Sequence, residues 1–439
     1  MKKTLLTLLA FVMLLPAFAQ NDKGKFAKLD SLMLYYYNNG KIMGALTIKE
    51  KGRTVFEKGY GFIDIQAQTR ADGHSKYKIG QATELFTAAV VLQLVEEKKL
   101  KLDAKLSEYF PDVANADVIT IKQMLNHSSG IADYTKAEGF DKYKENLQNR
   151  KFMLGKITAL PATFAPGDKN MYSAADYLLL GYIVQDITGN TIKENITNRI
   201  INSLGLKDTG FFNKPNPKKK EAFSYSLVKG KWERMDDWHE SVAGGALGMQ
   251  SSTADLTKFI TDLYSGKVVK KETLALMDPG TGASGLGIWY YPFAERRFAG
   301  QAGALEGYIS LVCHYPKEGV SVSLLLNAQD CNISELVNGI LSIYYKQPFR
   351  FPTFKEVKVA TAVLKNYEGR YTTKSLPFYV DVNVVDGQLR IHADDQGTFF
   401  VEPLSDTTFT HDAAGIILEF GQGTFTLKQN GTDTVFTRI

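Results

Sequence analysis

A chain of 439 residues, 44% hydrophobic and 23% charged, holds apolar material for a large core and more than one domain. Its formal charge of +5 gives no basic footprint for nucleic acid. Six scattered histidines and two cysteines show no metal-ligand spacing, so neither a metal nor another cofactor is expected.

The chain opens Met1-Lys2-Lys3, continues as an apolar run from Leu5 to Leu15, and reaches Pro16-Ala17-Phe18-Ala19. This pattern predicts a signal peptide over residues 1–19, cut after Ala19. No lipobox cysteine stands nearby, and the run is short for a bilayer span. A periplasmic or secreted protein without a stable membrane span is expected.

Next, "GALTIKEKGRTVFEKGYGF" (Gly44 to Phe62) alternates apolar and polar residues around Lys51-Gly52, which predicts an antiparallel hairpin. "SKYKIG" (Ser75 to Gly80) is a short extended piece. From Ala82 to Glu97 the pattern is helical and apolar almost all round, as in a buried helix. Ala174 to Gly189 and Thr191 to Gly205 are further helices, each ended by its glycine. The basic run Pro217 to Phe223 reads as a solvated loop. Strands return from Gly285, with a hairpin over Gly307 to Asn327 turning at Pro316–Gly319. That turn sets Cys313 opposite a residue near Val322 and Cys331 beyond the ladder, so two buried free thiols are expected rather than a disulfide. The fold class is therefore α+β, an antiparallel sheet flanked by helices, over residues 20–346. Residues 347–366, with two prolines and broken periodicity, read as a linker. Residues 367–439 alternate in short strands, with hairpin turns at Asp386-Gly387 and Asn430-Gly431, and predict a small all-β barrel or sandwich.

Several local signatures then line up in order. "YKIGQATELFTAAVVLQLVEEKKLKLD", "IKQMLNHSSGIADY", "PGDKNMYSAADYLLLGYIVQDITG", "GGALGMQSSTADLTKF" and "AGQAGALEGYISLVCHYP" resemble successive motifs of the serine β-lactamase-related family. That family takes in class C β-lactamases, DD-peptidases, penicillin-binding proteins and related esterases. The resemblance covers roughly Lys28 to Tyr345. It implies a nucleophilic serine at the start of a buried helix and a lysine one turn later. It also implies a Y-x-N tyrosine and asparagine, and a final H-x-G or K-T-G strand supplying a cation and an oxyanion N–H.

This chain departs at each address. Gln81 stands at the serine position and Glu84 at the lysine position; Tyr172 is kept, but Ala174 replaces the asparagine, and Gln301 precedes Gly303 where a cation should stand. Losing one member of such a unit costs on the order of 10⁴–10⁶ in rate. No catalytic residue of the family mechanism is therefore expected. The leading reading is a pseudoenzyme whose cleft, lined by Gln81, Glu84, Tyr134, Tyr172, Ala174, Gln301 and Gly303, binds without cleaving. A peptidoglycan fragment, another small acyl ligand and a protein partner stay open as occupants.

Two alternatives keep catalysis. In one, Glu84 activates water beside Gln81 and Tyr172 with no covalent intermediate, which needs its pKa raised by burial. The plainer reading leaves Glu84 ionised by the helix dipole, with Gln81 and Thr83 satisfying free N–H groups at the helix start. In the other, a serine hydrolase uses an unrecognised nucleophile. Ser75 and Lys78 match S-x-x-K, as do Ser226 and Lys229, but neither pair opens a helix, and residues three apart on a strand face opposite ways. Tyr172 also reads as a core residue with a satisfied hydroxyl.

Overall fold

The computed structural model describes residues 24–280, 285–354, 357–376, 378–394, 397–411, 416–429 and 432–439. The predicted signal peptide, with its cut after Ala19, and the predicted Asn430-Gly431 turn lie outside the described residues. The chain packs as two compact units: one runs to Cys331 and includes Ile343–Lys346, the other comprises Asn332–Ser342 and Gln347–Ile439.

In the first unit, helix α1 (24–38) leads into strands β1 (Ile42–Glu50) and β2 (Arg53–Tyr60). Lys51 and Gly52 both take positive φ, as a two-residue hairpin turn requires. Helix α2 (Thr83–Glu96) follows, then α3 (Ala174–Thr188) and α4 (Thr253–Tyr264). Strands β3 (Trp289–Phe293), β4 (Arg296–Leu305), β5 (Tyr308–Tyr315) and β6 (Val320–Gln329) join them in the antiparallel path β3-β4-β5-β6-β1-β2 of an eight-stranded sheet. Its other two strands, Tyr225–Val228 and Lys231–Arg234, attach through a parallel pairing of Tyr225 with Ala328. Nine of the ten residues of β6 are buried, as befits a central strand covered on both faces. Cys313 pairs with Val322 across β5 and β6, the register expected from the Pro316–Gly319 turn. Its thiol is free and buried, whereas Cys331 is half-buried rather than buried.

Helix α2 is buried along its length from Thr83 to Leu92, which is why it carries no polar face. Phe86 stacks on Phe259 of α4 with ring centroids 3.9 Å apart. Hydroxyl pairs tie α4 to the sheet, Thr47 with Thr253 and Thr261 with Ser321, at 2.8 and 2.7 Å. The helix expected over Thr191 to Gly205 forms in three joined pieces, the middle one, Thr197–Ile201, a π-turn, and Gly205 closes it in the left-handed region. Among the described residues no helix is long and apolar enough to cross a membrane.

The second unit is a closed antiparallel barrel of eight strands, from Gly369–Thr372 to Thr432–Arg438. Asp386 and Gly387 turn at positive φ between Val385 and Gln388. Its interior is packed with Tyr371, Phe409, Phe420, Phe425 and Phe436, leaving the aromatic rings to stack on one another. Part of the segment read as a linker belongs here. Thr361–Lys365 is a short helix whose Leu364 enters the barrel core.

Candidate active site

The start of α2 is set by close backbone packing. Gly80 sits at φ +50, and a β-carbon there would stand 3.0 Å from the Ala304 carbonyl oxygen of β4. Gly303 is tighter: its β-carbon would be 2.5 Å from the Ile79 oxygen and 2.7 Å from the Gln81 nitrogen. Only glycine lets β4 approach the helix start this closely. Ser310 of β5 clamps the same segment, donating to the Ile79 carbonyl at 2.6 Å. The sequence thus seats Gln81 against the edge of β4.

Contrary to the expectation from the sequence, Gln81 does not cap the helix; its Oε1 accepts the Ala304 N–H at 2.7 Å. Thr83 likewise turns away, and its Oγ1 accepts the Met249 N–H at 3.2 Å. Both side chains lock α2 to neighbouring strands. At the helix end itself the described side chains form no capping bond.

Glu84 lies one turn further in and is fully buried. Its Oε2 lies 3.2 Å from His127 Nε2 and 3.4 Å from Gln301 Nε2. The other ring nitrogen of His127 is 3.0 Å from Asp176 Oδ2, and Ser129 donates to Asp176 Oδ1 at 2.6 Å. His127 therefore bridges two buried carboxyl groups, and the Ser173 N–H also approaches its Nδ1 at 3.4 Å. Burial alone would lower its pKa, but the Glu84 charge and the bonds to Asp176 and Glu84 outweigh that and raise it to about 10. Glu84 is pushed up to about 7 by burial, with His127 pulling the other way. Asp176 is also raised, again by burial. The expectation that the helix dipole keeps Glu84 low is overturned: desolvation of a fully buried carboxyl outweighs a half-charge at the helix end.

An open cleft of about 580 Å³ adjoins the helix start. Gln81 and Tyr172 line it, with Trp238, Ala304, Glu306 and Tyr308 among their neighbours. The other residues named from the sequence lie outside its lining. Tyr134 is buried and donates to the Val242 carbonyl at 2.6 Å, a core residue. Ala174 is buried at the start of α3, and Gly303 packs β4 on the helix start. Gln301 reaches down to Glu84 and accepts the Ala302 N–H at 3.1 Å. Tyr172 keeps its cleft position, with its hydroxyl buried beside the Gln81 side chain.

The paired Ser75 and Lys78 separate. Ser75 donates to Asp72 in a tight turn, while Lys78 is bound to Asp237 at 2.8 Å and lies over the Phe212 ring. Ser226 and Lys229 flank the turn of the hairpin Tyr225–Val228 and Lys231–Arg234 and open no helix. His127, Asp176, Trp238 and Glu306 were not singled out from the sequence. His127 had one available signal, its place before Ser128-Ser129-Gly130 in "LNHSSG"; its left-handed backbone, φ +56, needs the structure to be seen.

The comparisons with known proteins agree with this architecture. Protein flp of Staphylococcus aureus (strain MRSA252) is 27% identical over 337 residues, 71% of this chain and 65% of that protein. The chain thus spans just under two thirds of that relative's length. Teichoic acid D-alanine hydrolase of Staphylococcus aureus is 25% identical over 246 residues, 56% of this chain and 59% of that one. Among solved structures, the octameric penicillin-binding protein homologue from Pyrococcus abyssi superposes with a TM-score of 0.67 at 22% identity, covering 94% of this chain and 99% of that one. D-amino acid amidase from Ochrobactrum anthropi SV3 gives 0.66 at 21% identity, covering 72% and 98%. These likenesses fix the fold. The Beta-lactamase family profile matches residues 36–335, well over half of the sequence, and the chain belongs to the Beta-lactamase family.

Proposed function

We propose that this chain is a binding member of its family, an exported protein whose cleft takes a cell-wall peptide or another small acyl ligand without forming an acyl-enzyme. One observation carries the reading. At the helix start, where acylation needs a hydroxyl, Gln81 presents a carboxamide whose oxygen already occupies the Ala304 N–H at 2.7 Å. A carboxamide is no nucleophile, and the donor that would stabilise a developing oxyanion is engaged by the protein itself. The position of the lysine base is held by a buried carboxyl paired with His127.

Intact mass measurement after incubation with a reporter β-lactam or an activated ester tests this directly. An unchanged mass, with ligand-induced NMR shifts at Gln81 or Tyr172, is the expected result. A stable adduct on any serine sinks it.

A second reading, hydrolysis by a water activated at Glu84, is favoured by a separate observation. Glu84 Oε1 is buried without a hydrogen-bond partner, and the carboxyl is raised to about 7, in the range useful to a general base. Turnover without an adduct, abolished by Glu84→Gln, would establish it. Turnover unaffected by that change would remove Glu84 from consideration.

A further inference from the structure

The wall of the cleft beyond Gln81 is built around one residue in an uncommon backbone state. β4 and β5 are joined by a two-residue turn, Leu305 pairing with Tyr308, and both central residues have positive φ: Glu306 at 40° and Gly307 at 79°. Turns of this hand favour Asn, Asp or Gly at their first position. A glutamate there is strained, and such strain persists where the surroundings fix it.

The surroundings do fix it. Glu306 Oε1 accepts from Trp238 Nε1 at 2.7 Å and from Lys144 Nζ at 2.9 Å. Both bonds fall on the same oxygen, and Glu306 lines the cleft with its side chain 23% exposed. Trp238 is held in turn, its ring edge-on to Phe140 with centroids 4.7 Å apart. A carboxylate and an indole are thereby positioned side by side in the cleft wall.

The charges around them are asymmetric. Lys144 is shared with Asp141 at 2.7 Å, and Lys78 is spent on Asp237 at 2.8 Å. Glu306 therefore shares its bonded lysine with a second carboxylate. The other acidic lining residue, Asp330, is bonded to Lys41 at 2.6 Å. No lysine, arginine or histidine side chain lines the cleft among the described residues, while Tyr172, Tyr225, Trp238 and Tyr308 do. Aromatic faces with a nearby carboxylate attract an organic cation and repel an anion.

We propose that the cleft selects a ligand bearing a primary ammonium group, seated between the Glu306 carboxylate and the Trp238 ring, its adjoining amide or ester directed toward Gln81 and Tyr172. Glu306 is then a specificity-determining residue. The inference rests on the binding reading above and names the charge class of the ligand.

Three probes on one scaffold test it by NMR titration of the whole protein. These are phenylalaninamide, cationic, in both enantiomers; N-acetylphenylalaninamide, neutral; and N-acetylphenylalanine, anionic. The expected result is binding of an ammonium probe that shifts the Trp238 indole signal, with the neutral probe at least about tenfold weaker and the anion weaker still. Glu306→Gln keeps an acceptor for Trp238 and Lys144 while removing the charge, and should abolish the preference. Trp238→Phe keeps both the charge and an aromatic face, and should retain it. Equal or tighter binding of the neutral or anionic probe overturns the proposal. So does a preference surviving Glu306→Gln, or no ammonium binding by about 10 mM, where even a weak site with an affinity of about 1 mM would be about nine-tenths filled. An acyl adduct in the mass experiment would refute the binding reading yet leave this charge preference standing, so the two failures are distinguishable.

Discussion

The site has a sealed floor and an open wall, and each handles charge in its own way. On the floor, half-buried His127 links the buried Glu84 and Asp176 at 3.2 and 3.0 Å. On the wall, Glu306 and Gln81 stand at the cleft, with Glu306 held by Trp238 and Lys144. Floor residues hold the architecture at high electrostatic stake, since a buried charge without its partner is costly. Wall residues are cheap to alter and decide what the cleft accepts. Substitutions at the two should therefore split stability from recognition.

The largest effect should come from His127→Ala. It leaves Glu84 and Asp176 facing each other without a cation, and should cost about 3–5 kcal/mol, the range for breaking a buried pair. Urea denaturation measures it. A loss below about 1 kcal/mol, typical of exposed pairs, would mean the floor is hydrated.

A lesser loss should follow from removing only the proton. The folded-state pKa of His127 is raised from 6.5 to about 10, so its contribution is fully present below pH 6.5 and is lost as pH rises toward 10. Glu84 is raised from 4.5 to about 7, so its own contribution is spent earlier, as pH climbs from 4.5 to 7. Stability should thus fall in two overlapping stages as pH rises from 4.5 to 10. The ring-proton resonances of His127 should still report an imidazolium at pH 8; a midpoint near 6.5 would contradict the bridge.

Floor and wall meet at Gly303. Gly303→Ala puts a methyl within 2.5–2.7 Å of backbone atoms at Ile79 and Gln81, which cannot yield as a flexible side chain can. The strain should cost about 1–3 kcal/mol, the usual range for overpacking, and should weaken the Gln81–Ala304 bond. Faster amide exchange at Ala304 in the variant would register that second effect. Unchanged exchange and stability would show that β4 can slide freely past the helix start.

What the sequence made legible follows from periodicity and turn chemistry. The all-apolar stretch after Ala82 could only be a buried helix, and Pro316–Gly319 set Cys313 opposite Val322. The address Gly80 to Glu84 was readable from its motif, and with it the absence of serine and lysine. What stayed hidden depends on residues distant in sequence. His127 meets Glu84 and Asp176 across 43 and 49 positions, and Trp238 meets Glu306 across 68. No local pattern encodes those meetings. Glu84 shows the cost of local reasoning: the helix dipole is visible in sequence, but the burial that overrides it is a tertiary fact. Tyr134 fails similarly, because a motif tyrosine reads alike whether it faces a cleft or donates to Val242 within the core. The helix Thr361–Lys365 was obscured by the prolines before it; Leu364 joins the barrel by packing that five residues of sequence cannot announce.

The smallest change should fall on stability at Gln81, and there the comparison is sharpest. Gln81→Gly removes the oxygen that engages the Ala304 N–H, but Ala304 is exposed, so water can replace that bond. The cost should stay under about 1 kcal/mol, the net worth of one replaceable hydrogen bond. Recognition should change more. With the carboxamide gone, the Ala304 N–H can receive a carbonyl oxygen from the ligand, so an amide probe should bind several-fold tighter than to the parent protein. NMR titration of phenylalaninamide against both proteins reads the difference, with the Ala304 amide as reporter. Weaker binding to the variant would mean that Gln81 contacts the ligand directly rather than standing in for it. Gln81 would then be part of the recognition surface, on the same footing as Glu306.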